Sequence, residues 1–330
     1  MHPAFSVIFL TTLIGAGQGL FMSLVTGQVY SLANLLEPQD SVGFYATGSA
    51  LALVLLGGGL VAAVFHLGKP SYFLTRAWRG IAQWRTSWLS RELIALPLFM
   101  VLVVFYGAAH YFRMTDPLFV IQGQIPVDPT LLLGIVGALM SIVLFVCTAM
   151  IYASLRFLQE WHSPLTVANF LLFGLASGFT LAAAFSAWRG VALVGFFGVW
   201  AVIFTVLAAI TRGLSIYRNA RIKPKSTLQT AIGVRHSAIR QRSMGFMGGS
   251  FNTREFFHGA GNTTLASIKG FFLVTVFVLP VALLAASNVL QSAYLPILAF
   301  AVQYLGLMAE RWYFFAEARH PQNLYYQTVG

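Results

Sequence analysis

The sequence predicts an all-α fold: a polytopic integral membrane protein built as a bundle of about eight transmembrane helices. Three observations predict it. Of 330 residues, 58% are hydrophobic and only 9% are charged, with a mean hydropathy of +0.77. A soluble domain carries about 25% charged residues, so lipid must cover most of this surface. The apolar residues also fall in blocks long enough to cross a bilayer, and nearly every Lys and Arg falls in the polar stretches on one side of those blocks.

A crossing helix needs about 20 mostly apolar residues. The first block, Ala4–Tyr30, follows an N-terminus without Lys or Arg, and its length marks a membrane span, not a cleaved signal peptide. Small residues recur along it at Gly15, Gly19, Ser23 and Gly27. The second, Gly43–Phe65, ends in His66-Leu67-Gly68-Lys69-Pro70. The third, Leu93–Phe112, contains Pro97, and the fourth, Thr130–Ala153, holds the single cysteine, Cys147. One cysteine excludes an internal disulfide and any cysteine-ligated cluster within the chain. The fifth, Val167–Ala187, repeats the small-residue spacing at Gly174 and Gly178, and Val191–Thr211 is the sixth. No charge lies between Lys269 and Glu310, a stretch too long for one crossing. Ser287-Asn288 with Pro296 divides it into Ile268–Ser287 and Ala293–Phe315. The small-xxx-small spacing suits either packing within the bundle or a partner-helix interface, and the first is the commoner use.

Eight spans place both termini and the even-numbered loops on one side. All of the 20 Lys and Arg except Arg113 and Arg189 fall there, while Glu37, Asp40, Asp116 and Asp128 fall on the other. The positive-inside rule then puts both termini in the cytoplasm of a bacterial inner membrane. This distribution accounts for the formal charge of +11 without nucleic acid. The chain reads as one membrane domain, 1–330, with a long basic cytoplasmic loop at 212–267. A second loop, from Lys69 to Arg91, is basic and aromatic. Both loops suit docking of a cytoplasmic subunit, or else solvation and contact with anionic lipid.

Chemistry is sparse. There is no phosphate loop, His-Glu-x-x-His or Cys-x-x-Cys, so no metal site is expected. The middles of the predicted spans carry no ionisable group, which argues against a pump or ion-coupled carrier. A b-type haem needs facing histidines. Only His66 and His110 lie at span ends, and the topology sends them to opposite faces. What remains is the cytoplasmic end of the second span. Reducing a quinone, or oxidising a quinol, moves two electrons and two protons, and a histidine at headgroup depth can hydrogen-bond the ring oxygen and exchange the protons. Gly68 leaves room for a ring, and Lys69 or Arg76 could steady a developing anion. The plain alternative is an interfacial His66 at a helix end, with Lys69 snorkelling and Pro70 terminating the helix. Glu310 and Arg311 close the last span, either solvated or paired at the interface, or as part of a proton route.

The opening Met1-His2-Pro3-Ala4-Phe5-Ser6 with Thr11-Thr12, the His66-Leu67-Gly68-Lys69-Pro70 motif, Trp88-Leu89-Ser90-Arg91-Glu92, and the tail Glu310-Arg311-Trp312 with Glu317-Ala318-Arg319-His320 resemble the membrane-anchor subunits of the dimethyl sulfoxide reductase family. The resemblance implies eight helices, a quinone site at His66, and two partners: an iron–sulfur subunit with four clusters and a molybdopterin catalytic subunit. It implies an oxidoreductase subunit without the catalytic centre, using ubiquinone or menaquinone and no covalently bound cofactor. The family archetype presents its quinol-site face to the periplasm. The charge distribution here instead resembles the cytoplasm-facing anchors of membrane-bound sulfite dehydrogenases, in which sulfite oxidation feeds quinone. A quinol-oxidising sulfoxide-type reductase, serving anaerobic electron transport, is the alternative within the class. A small-molecule transporter is the rival outside it, and would show mid-membrane polar groups or helix breaks in both halves.

Overall fold

A computed structural model describes residues 1–66, 79–121, 125–243 and 255–326. Among the described residues, eight long helices make the bundle. They are α1 Phe5–Leu32, α2 (a π-helical opening turn, Ser41–Ala46, continued by Thr47–His66), α3 Trp88–Tyr111, α4 Pro129–Ala153, α5 Pro164–Arg189 and α6 Val194–Asn219. Then come α7, in three pieces at Asn262–Leu273, Val274–Val278 and Leu279–Leu290, and α8, Tyr294–Glu317. Among the described residues α1 to α7 are each long and apolar enough to cross a membrane. Helix α8 matches them in length, with 24 residues, but carries Gln303, Glu310, Arg311 and Glu317. A small hairpin, Phe119–Ile121 (β1) against Ile125–Val127 (β2), joins α3 to α4.

The helices outrun the apolar blocks because polar caps start them early. Ser87 accepts from the Ser90 N–H to begin α3, and Asp128 accepts from the Leu131 N–H at 2.7 Å to begin α4. Ser163 does the same for α5, with Pro164 at the first position, where its missing N–H has no intrahelical use. The last turn also lies elsewhere than the sequence suggests. Ser287 and Asn288 remain helical, and Gln291, at φ 51°, makes the reversal. The Ser287 hydroxyl donates to the Ser292 carbonyl across it. Pro296 sits inside the first turn of α8, where proline is tolerated.

Helices α1 and α5 are the centre of the bundle. α1 packs on α2, α4, α5 and α8, and α5 on α1, α4, α6 and α8. The two glycine stripes face each other: a methyl group added at Gly178 would land on the Gly19 backbone, and one added at Gly19 on Gly174. The small-residue spacing therefore serves intrachain packing. Where α7 widens into a π turn, Pro280 withholds an N–H from the Val276 carbonyl. Gln303 of α8 donates to that carbonyl at 3.3 Å and to Thr205 of α6 at 3.2 Å. One side chain thus ties three helices.

The basic loop at 212–267 is shorter than its sequence implies. α6 carries Arg212 and Arg218 within its last turns and ends at Asn219, and α7 begins at Asn262. Arg218 stays helical because its guanidinium donates to the Gln159 and His162 carbonyls. The two chain ends meet at the same end of the bundle. The Met1 amine donates to the Ala318 carbonyl at 2.8 Å, the His2 N–H to the Glu255 carbonyl at 2.9 Å, and Asn323 to the Phe256 carbonyl at 3.1 Å. This is what an even number of crossings requires.

Candidate functional site

Helix α2 runs to His66 and ends at the same face of the bundle as the chain termini. The His66 side chain, and Gly68, Lys69 and Arg76, lie outside the described residues. Beside that end, α3 begins with Trp88-Leu89-Ser90-Arg91-Glu92. Arg91 lies 4.0 Å over the Trp88 ring and donates to the Trp84 and Arg85 carbonyls. Glu92, the next residue, is buried at 8% exposure and accepts a hydrogen bond from Thr148 of α4. A carboxyl at this depth with a single hydroxyl partner is poorly solvated as an anion, so it is suited to hold and pass a proton.

Glu310 and Arg311 belong to a different place. Glu310 is 0% exposed, and its two carboxylate oxygens face two guanidinium groups: Arg212 Nε at 2.8 Å and Arg311 Nε at 2.8 Å. Arg212 also reaches Glu317 at 3.5 Å. Two cations and two anions thus form one buried string from α6 to the end of α8. Aromatic rings cover it: Arg311 lies 4.2 Å over Phe170, and Arg212 stands 5.7 Å from both Phe272 and Tyr313. Burying ions in lipid is costly unless they are paired, and pairing is what the geometry supplies. Of the expectations for Glu310 and Arg311, solvation at the interface is corrected: they are paired and buried near the end of the last span. α8 continues to Glu317, about two turns beyond them, so the charges lie inside the helix. α1 stands between this string and the end of α2, since Ile14 and Gly17 of α1 meet α2 while Thr12 of α1 meets Tyr304 of α8 at 3.2 Å.

The opposite end holds a second polar cluster. His110, at the end of α3, stacks on Tyr45 with ring centroids 4.6 Å apart and meets Tyr106 edge-on at the same distance. Its Nδ1 lies 2.7 Å from the Ser41 hydroxyl. Tyr106 donates to Gln28 at 2.9 Å, Gln28 to Thr130, and Thr130 to Asp128 at 2.6 Å. The string fastens α1, α2, α3 and α4 together. α2 and α3 are antiparallel, with Gly107 against Ser49, so His110 and the end of α2 at His66 lie at opposite ends.

The model of the family described as DMSO reductase anchor subunit (DmsC) matches residues 1–315. The chain belongs to the DMSO reductase anchor subunit family. Among curated relatives, the C subunit of sulfite dehydrogenase from Allochromatium vinosum is 59% identical over 330 residues, covering 100% of both proteins. The C polypeptide of the anaerobic dimethyl sulfoxide reductase of Haemophilus influenzae is 30% identical over 132 residues, covering 40% of this protein and 42% of that one. The resemblance drawn from the motifs therefore holds, and with it the polytopic membrane architecture. Membership of the anchor family also implies catalytic and electron-transfer partner subunits.

In this anchor, Glu310 and Arg311 stand out in the sequence as candidates, but Arg212 and Glu317, which complete their string, do not. Glu317 stands seven residues after Glu310, two helical turns along the same face, and that spacing is the one signal available. Glu92 lies in a recognisable motif, but its burial against Thr148 depends on how α3 and α4 meet.

Proposed function

We propose that this protein is the quinone-reactive anchor of a molybdenum/iron–sulfur enzyme of the sulfite dehydrogenase type. It holds the iron–sulfur and molybdopterin subunits at the cytoplasmic face and exchanges electrons with the quinone pool near His66. The observation that carries this reading is the 59% identity, across the full length of both proteins, with the C subunit of a sulfite dehydrogenase. The charge asymmetry supports the orientation, because the end that gathers the termini and the long connection is also the end rich in Lys and Arg.

The chemistry asked of this end is proton handling. Quinone reduction takes up two electrons from the partner's clusters and two protons, and each proton must pass through a side chain at the ring. An imidazole at position 66 would hydrogen-bond a ring oxygen, and the Glu92 carboxyl at the same end of the bundle would exchange a proton. The test is His66→Ala in the assembled complex. The expected result is unchanged assembly and unchanged sulfite oxidation with a soluble dye as acceptor, but loss of quinone-linked turnover. Wild-type quinone turnover in that variant overturns the site.

A further inference from the structure

Under the cap made by the chain ends lies a cavity of about 660 Å³. It is lined by Ile216 and Asn219 of α6, Lys269 of α7, and Tyr313 and Glu317 of α8. Lys225, Ser226, Arg319 and His320 line it as well. The cavity therefore sits at the boundary where helices leave the hydrocarbon, on the face where the Lys and Arg residues gather.

Its charge balance points one way. Two carboxylates line it, Glu160 and Glu317. Glu317 pairs with Arg212 at 3.5 Å, and among the described residues Glu160 forms no ion pair. Three cations line it, Lys225, Lys269 and Arg319, and among the described residues none of them forms an ion pair. Basic residues at helix C-termini ordinarily answer the helix dipole. Arg218, in the last turn of α6, stands at that end of the dipole, and its guanidinium is held on the Gln159 and His162 carbonyls of the connection between α4 and α5. Three unpaired cations against one unpaired carboxylate leave this cavity net positive, and with Asn219, Asn323 and Ser226 as hydrogen-bonding groups they make a site for an anion. The volume far exceeds a bare phosphate, and Phe157, Ile216, Ile222 and Leu324 give it apolar walls.

We infer that this cavity binds the headgroup of an anionic phospholipid from the leaflet it adjoins. The phosphodiester would lie among Lys225, Lys269 and Arg319, and the glycerol backbone against the apolar walls. A lipid bound there would bridge α6, α7 and α8 beneath the cap. The inference does not depend on His66 touching quinone.

The test uses the purified complex in nanodiscs and native mass spectrometry after release into detergent. With phosphatidylglycerol mixed into phosphatidylcholine, the wild type is expected to retain phosphatidylglycerol selectively. The triple variant Lys225→Ala, Lys269→Ala, Arg319→Ala should retain it on the order of 100-fold more weakly, since each near-surface cation makes a roughly fivefold contribution. A control triple at basic positions outside the cavity (Arg235→Ala, Arg240→Ala, Arg242→Ala) should retain it as the wild type does. Equal retention by the two triples, equal retention of phosphatidylcholine, or displacement by millimolar inorganic phosphate each overturns the lipid assignment. If the cavity triple does not assemble, the wild-type comparison of the two lipids with and without phosphate decides.

Discussion

Arg212 of α6 and Glu310 of α8 form an ion pair of 2.8 Å between side chains that are 2% and 1% exposed. Glu310 holds Arg311 at the same distance with its other oxygen. One carboxylate therefore bridges two guanidinium groups inside the bundle, and Glu317 supplies the second negative charge. Removing it leaves both without their main counter-charge, which costs about 3–5 kcal/mol for a buried pair broken on one side. Glu310→Gln is expected to lower the thermal stability of the purified anchor by that order, and Glu310→Asp to recover part of it. A Glu310→Gln protein that melts like the wild type would show the pair to be idle.

Gly178 is the tightest point of the α1–α5 crossing, where even a methyl group meets the Gly19 backbone. Gly178→Leu should push the two central helices apart and prevent stable accumulation of the protein in the membrane. Gly198→Ala, where nothing lies within 4 Å of an added Cβ, should be tolerated. Immunoblots of membrane fractions compare the two, and equal levels would contradict the packing described.

Glu92→Gln keeps an oxygen that can accept from Thr148 but removes the titratable proton. Assembly should therefore survive while quinone-linked turnover falls about 10²-fold, the lower range for loss of a general acid–base group. Dye-linked turnover of the complex should not change. A parallel fall in both activities would mean that Glu92 matters for structure alone.

The Met1 amine is partly buried against the Ala318 carbonyl, and that burial lowers its pKa from 8.0 to about 6, with the negative charge of Glu160 opposing the shift. The unfolded amine therefore binds its proton at a higher pH than the folded one. Between pH 6 and 8 the unfolded state holds more protons, so docking of the N-terminus is strengthened as pH rises through that window and weakened as it falls. Acylation of the N-terminal amine in the folded protein should titrate with a midpoint near 6, moving to about 8 in denaturant. A midpoint near 8 in the folded protein would place the amine in water.

Much of this architecture is legible in the amino-acid sequence. The helices can be located because hydrocarbon demands about 20 apolar residues per crossing, and that demand is written locally. The helix ends are less legible. Ser87 and Asp128 extend α3 and α4 by capping, and Ser287 and Asn288 stay helical until Gln291 turns the chain, outcomes set by side-chain hydrogen bonds that hydropathy does not report. The motifs at His66 and Trp88 point to the anchor family, since a short run of unusual residues is a more specific signature than the apolar runs around it.

The sequence by itself determined the solvent, the spans and the segregation of cations, because each follows from the count and position of apolar and basic residues. Only the tertiary structure decided which charges share a site. Glu310 and Arg311 are neighbours along the polypeptide, yet their burial as a pair depends on Arg212, about a hundred residues earlier, arriving on another helix. The face a glycine stripe presents, the partner of Glu92, and the three cations left unpaired around one cavity were likewise set by how helices pack. Pairing and burial are properties of distance in space, and separation in sequence does not encode them.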